Sequence, residues 1–105
     1  MITLKKILSI LLLFVTFISF SQEKFTLSGT ITDAKNNETL IGVNVFIKEL
    51  NYGTTTNEYG FYSITIPKGN YSVLVSYLGF ETIEETINLY KNNKNNFKIS
   101  TQEEV

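Results

Sequence analysis

From Phe25 to Leu89 the apolar residues recur every second position, and that period decides most of what this chain can become. Side chains alternate between the two faces of a strand, so a period of two describes strands buried on one side. Phe25, Leu27, Gly29 and Ile31 alternate with Thr26, Ser28, Thr30 and Thr32. Val43, Val45 and Ile47 share a face opposite Asn44, Phe46 and Lys48, and Thr54 to Thr56 form a short β-branched run. Tyr62, Ile64 and Ile66 are expected inward with Phe61, Ser63 and Thr65 outward. Tyr71, Val73, Val75 and Tyr77 line a further inner face, and Ile83, Ile87 and Leu89 continue the period. Lys91 to Asn96 reads as a polar loop, followed by a last short strand at Phe97 and Ile99.

Turn chemistry separates these runs. Asp33 to Glu38 is polar and rich in residues that bond their own backbone. Asn57-Glu58-Tyr59-Gly60 is the sharpest signal, with an acceptor side chain first and a glycine tolerant of positive φ last. Pro67-Lys68-Gly69-Asn70 is expected to turn the chain again, with Gly69 relieving strain. Gly42 and Gly79 are further turn glycines, Gly79 marking a bulge or bend. Six to seven strands with turns every eight to twelve residues predict an all-β, antiparallel β-sandwich.

Ahead of the strands the pattern is different. Lys5 and Lys6 precede an apolar run from Ile7 to Phe20, and Ser19-Phe20-Ser21 places small residues at −3 and −1 of a cut before Gln22. These are the three parts of a secretory signal peptide, here residues 1–21, with cleavage between Ser21 and Gln22. The fourteen-residue apolar run, as a helix, reaches only about 21 Å, short of a hydrocarbon core of about 30 Å. A lipid anchor at the cut would need a cysteine, and the chain has none. Residues 22–100 are then the folded domain and 101–105 an acidic tail.

Composition narrows the function. Among 105 residues there is no His, Cys or Trp, and all nine basic residues are lysines. The usual zinc ligands, the commonest general base, the thiol nucleophile and the guanidinium clamp for phosphate are all missing. Without Lys5 and Lys6, seven lysines face ten acidic residues, a net charge of −3, which argues against nucleic acid. Glu84 and Glu85 are adjacent in a strand and point to opposite faces, so they cannot converge as an acid–base pair. Asp33, Asn57 and Glu58 lack the dense carboxylate spacing of calcium loops. No enzyme activity, cofactor or metal is expected. Tyr52, Tyr59, Phe61 and Phe80 lie at or near turns and are the candidate contact aromatics for a protein or carbohydrate partner.

Four segments in order carry a resemblance. They are Ser28-Gly29-Thr30-Ile31-Thr32-Asp33, Leu40-Ile41-Gly42-Val43-Asn44-Val45, Thr56 to Ile64 (TNEYGFYSI) and Val75-Ser76-Tyr77-Leu78-Gly79-Phe80. From Leu27 to Leu89 the chain resembles the carboxypeptidase regulatory-like domain, a transthyretin-like or immunoglobulin-like sandwich. Asn57 stands where that family usually has Asp, and Ile41 where it has Pro; both keep the turns feasible. In metallocarboxypeptidases the module sits beside the zinc-bearing catalytic domain, so the resemblance implies no peptidase activity here. In Bacteroidota it often follows the signal peptide of a TonB-dependent outer-membrane receptor, ahead of plug and barrel. An acidic stretch then commonly follows, and Thr101-Gln102-Glu103-Glu104-Val105 resembles its beginning. The resemblance thus implies an exported, non-catalytic interaction module of the periplasm or the periplasmic face of the outer membrane. Its expected partner is a protein, either a receptor's plug and barrel or another envelope component. The alternative is a stand-alone carbohydrate- or surface-binding module.

Overall fold

Two β-sheets face each other across a shared apolar core in the computed structural model, which describes residues 3–16 and 22–102. A helix, α1 (Leu4–Thr16), precedes the domain. Its leucines and lysines are good helix formers, and its 13 residues span about 20 Å. Among the described residues, no helix is long and apolar enough to cross a membrane. Ser21 lies outside the described residues, and Gln22 is exposed.

The strands are β1 (Lys24–Asp33), β2 (Asn44–Ile47), β3 (Tyr52–Thr55), β4 (Phe61–Pro67), β5 (Gly69–Ser76), β6 (Ile83–Leu89), β7 (Asn93–Lys94) and β8 (Phe97–Ile99). One sheet runs β4-β1-β7 with β8 also on β1, and the other runs β3-β2-β5-β6. Leu27 and Ile31 of β1, Tyr62, Ile64 and Ile66 of β4, and Phe97 and Ile99 of β8 are buried from one side. Val45 and Ile47 of β2, Val73 and Val75 of β5, and Ile87 and Leu89 of β6 meet them from the other. The all-β sandwich and its inward faces match the alternation in the sequence.

The closing segment is richer than a polar loop and a short strand. β7 and β8 both run parallel to β1, while the other pairings are antiparallel. They share one register: Leu27 pairs with Asn93 and Ile31 with Phe97, each partner 66 residues ahead. Asn92 and Asn96 keep that register with side chains, their Oδ1 atoms accepting from the Thr26 and Thr30 amides at 2.9 Å. Among the described residues, eight strands are therefore seven ribbons, the last interrupted at Asn95–Asn96. The interruption seats on Gly29, where an added Cβ would lie 2.0 Å from the Asn95 carbonyl oxygen. Glycine inside a strand often marks such a backbone approach.

Pro67 to Asn70 carries the chain from one sheet to the other, but Gly69 is no turn apex. It opens β5 opposite Leu89, and it is absent from the glycines with positive φ, which are Gly42, Gly60 and Gly79. The corner is tied instead by Tyr71, whose hydroxyl donates to the Pro67 carbonyl at 2.6 Å.

Candidate functional site

The four segments that carry the family resemblance meet at one end of the sandwich. Asn57 Oδ1 accepts from the amides of Tyr59 and Phe61 at 2.9 and 3.1 Å, and Gly60 donates to the Asn57 carbonyl. Every contact of that side chain is an acceptance, which a carboxylate would supply equally. Gly60 holds φ at +72° and lies against Thr39 and the Ile31 carbonyl. The buried Thr56 hydroxyl donates to the Leu40 carbonyl at 2.6 Å and accepts from the Val43 amide at 2.9 Å. Thr56 thereby locks the Leu40–Val43 turn onto the strand that precedes Asn57.

Beside this knot lies an open groove of about 400 Å³ lined by Gly42, Asn44, Ser76, Tyr77 and Leu78. Gly42 turns the chain at φ +80°. The β2–β5 register sets Asn44 opposite Ser76, offering an amide and a hydroxyl side by side. Tyr77 packs its ring on Phe80 at 5.5 Å, and Leu78 is 97 % exposed on the Gly79 turn. Ile41, on the neighbouring turn, is also exposed. The lining is neutral and partly apolar, chemistry suited to contact and hydrogen bonding. Leu78 and Ile41 are exposed apolar residues that strand periodicity overlooked, because both sit in turns where no period applies.

The contact aromatics do not share one environment. Tyr59 in the turn is 71 % exposed and Tyr52 in β3 is 55 % exposed. Phe61 faces outward from β4, opposite Thr30. Phe80 is half-buried, packed against the core and Tyr77, so it supports the fold. Glu84 and Glu85 pair with Leu74 and Val73 on opposite faces of β6. The Glu84 carboxylate sits 3.1 Å from the Lys48 ammonium, with both side chains exposed. Asp33 Oδ1 accepts from the Lys35 amide, so it and Asn57 are engaged in ordinary turns. Among the described residues no group of three acidic, His or Cys side chains could hold a metal.

Three ionisable groups are perturbed by their places in the fold, among them Tyr71, whose phenol is raised by desolvation and then by the negative charge of Glu49. Burial pushes the Tyr62 phenol well above its ordinary value, and the negative charge of Glu85 adds to this. Its hydroxyl donates to the Asn95 carbonyl at 2.5 Å. The Ser72 amide, donating to the Glu49 carboxylate, holds that carboxyl below its usual value, offset in part by desolvation. All three are structural ties, Tyr71 through its hydroxyl on the Pro67 carbonyl.

Known proteins resemble the chain over the same region. A receptor of Formosa agariphila, a TonB-dependent receptor, is 38 % identical over 81 residues, which is 77 % of this chain; the match spans 8 % of that receptor's length. A chain of a type II cohesin–X-dockerin complex from Acetivibrio cellulolyticus superposes with a TM-score of 0.61 at 18 % identity, covering 70 % of this chain and 52 % of that one. A 3-chlorocatechol 1,2-dioxygenase from Rhodococcus opacus reaches a TM-score of 0.63 at 8 % identity, covering 81 % and 62 %. At such identities these two likenesses concern the fold alone. Residues 27–105 match the profile of the CarboxypepD_reg-like domain, and the chain belongs to that family.

Proposed function

We propose that this is a non-catalytic accessory module of the bacterial envelope. Residues 1–21 direct export and are removed before Gln22. The domain then acts at the periplasmic face of the outer membrane as the N-terminal unit of a TonB-dependent receptor, or bound to one. The observation that carries this reading is the 38 % identity to such a receptor over 81 residues. The lysine pair, apolar run and small-residue exit of residues 5–21 support the export step. The neutral groove beside Leu78 and Ile41 supports contact with a protein surface rather than turnover of a substrate.

The full chain, tagged after Val105 and expressed in a Gram-negative host that carries such receptors, tests both steps. The expected product begins at Gln22 by N-terminal sequencing, fractionates with the envelope and cross-links to an outer-membrane receptor. A cytoplasmic product retaining Met1 would overturn the export step, and an envelope product that cross-links to no receptor would overturn the partner. The exposure of Tyr52 and Tyr59 favours one second reading, carbohydrate contact. Glycan-array binding lost on Tyr52→Ala with Tyr59→Ala would establish it in place of the first.

A further inference from the structure

The first and last ribbons of the domain lie side by side and run in the same direction. Before Lys24, the Glu23 carbonyl accepts from the Lys68 amide at 3.0 Å, at the corner where β4 ends. After Ile99, the Gln102 amide donates to the Gly79 carbonyl at 2.9 Å, at the opposite end of the sandwich. The chain therefore comes in at one end of the strand axis and goes out at the other. Tension along the chain drags β1 one way and β8 the other, parallel to their own axes. Ladder hydrogen bonds cross between strands, so that direction strains them together instead of opening them one after another.

The contacts along this seam suit such a load. The Thr26 amide is held by Asn92, the Ser28 carbonyl accepts from the Asn95 amide at 2.7 Å, the Thr30 amide is held by Asn96, and the Ala34 amide donates to Ile99 at 2.9 Å. Tyr62 ties Asn95 to β4 from within the core. The Asn95 carbonyl occupies the notch left by Gly29. Leu27 and Ile31, two positions away on the same face, carry full side chains, so a slide of about 6.6 Å along β1 runs the carbonyl into one of them. We propose that the domain is a tension clamp, resisting extension between its ends through this parallel seam and its Gly29 detent. The inference rests on the seam alone and stands whatever the partner is.

The chain has no cysteine, so attachment points can be placed singly for single-molecule pulling on the full chain. Gln22→Cys with Gln102→Cys loads the seam in shear. Gln22→Cys with Lys68→Cys opens the β1–β4 pairing from Lys24 and Pro67 inward, one pair at a time. The expected unfolding force is at least about twofold higher on the first axis. At constant force on that axis, Asn96→Ala is expected to speed unfolding about tenfold and to leave the second axis unchanged. Equal forces on the two axes in the otherwise unaltered chain overturn the proposal, whether or not Asn96→Ala folds. So does an Asn96→Ala effect of the same size on both.

Discussion

A methyl group at Gly60 would meet a strained backbone and a wall together. Its φ of +72° suits glycine, and the added carbon would lie 2.8 Å from the Thr39 Cβ and 3.0 Å from the Ile31 oxygen. Gly79 has φ +87° and open space around it. Left-handed backbone alone costs an L-residue about 1–2 kcal/mol, so Gly79→Ala should lose about 1 kcal/mol and Gly60→Ala about 3 kcal/mol. Urea midpoints of the two variants check this, and equal losses would mean that the wall yields. The Asn57–Gly60 turn was legible because its chemistry is local. Gly29 was legible only as an inward position, since its real constraint comes from Asn95, far along the chain. At Pro67–Asn70 the chain crosses between the sheets with Gly69 outside the positive-φ glycines, and the tie there, the Tyr71 hydroxyl on the Pro67 carbonyl, lies beyond any local turn signal. Tyr62 adds a pH dependence at this scale. Its folded phenol holds the proton more tightly than the unfolded one, whose pKa is near 10. The stability from this group is fully present below about pH 10 and is lost as pH rises through the higher folded value. Urea midpoints should therefore fall on going above about pH 10, with a shallower fall in Tyr62→Phe.

At the scale of elements, what alternation announces is what it buries. β1, β2, β4 and β5 appear where the period of two is clean, and each has a buried row to show for it. β6 breaks the period at Glu85, which lies opposite the buried Val73 yet stays exposed. An inward-directed charge on an edge strand is a known guard against pairing with another sheet. β7 could not be read at all. It is only two residues long, and no apolar period survives between Lys91 and Asn96. The asparagines that make this stretch look like a loop are the groups that extend it as a strand. Asn92→Ala should consequently speed hydrogen exchange of the Thr26 amide about tenfold, with the Thr30 amide, held by Asn96, as the unchanged reference. Unaltered exchange at Thr26 would show that other contacts protect it.

For the whole molecule, the absence of disulfides leaves packing as the source of stability. A domain of about 80 residues is worth about 4–12 kcal/mol in total. Truncating one fully buried aliphatic costs about 2–5 kcal/mol, so Ile31→Ala, in the shared core, should remove about a sixth of it or more. The helix contributes on a different footing. Leu4, Ile7, Leu8, Ile10 and Leu11 of α1 are at least half exposed, and burial is what would couple them to the domain's free energy. Deleting residues 1–21 should then leave the urea midpoint and slope of the domain unchanged, while Ile31→Ala lowers the midpoint in both forms by the same amount. The comparison needs only equilibrium unfolding followed by tyrosine fluorescence, since all six tyrosines lie beyond residue 21. A midpoint that falls on deletion would mean that the apolar face of α1 is buried on the domain in solution. Unequal losses from Ile31→Ala would place that contact near the core. Equal values would leave the sandwich as the unit that folds, with its leading segment free to serve export.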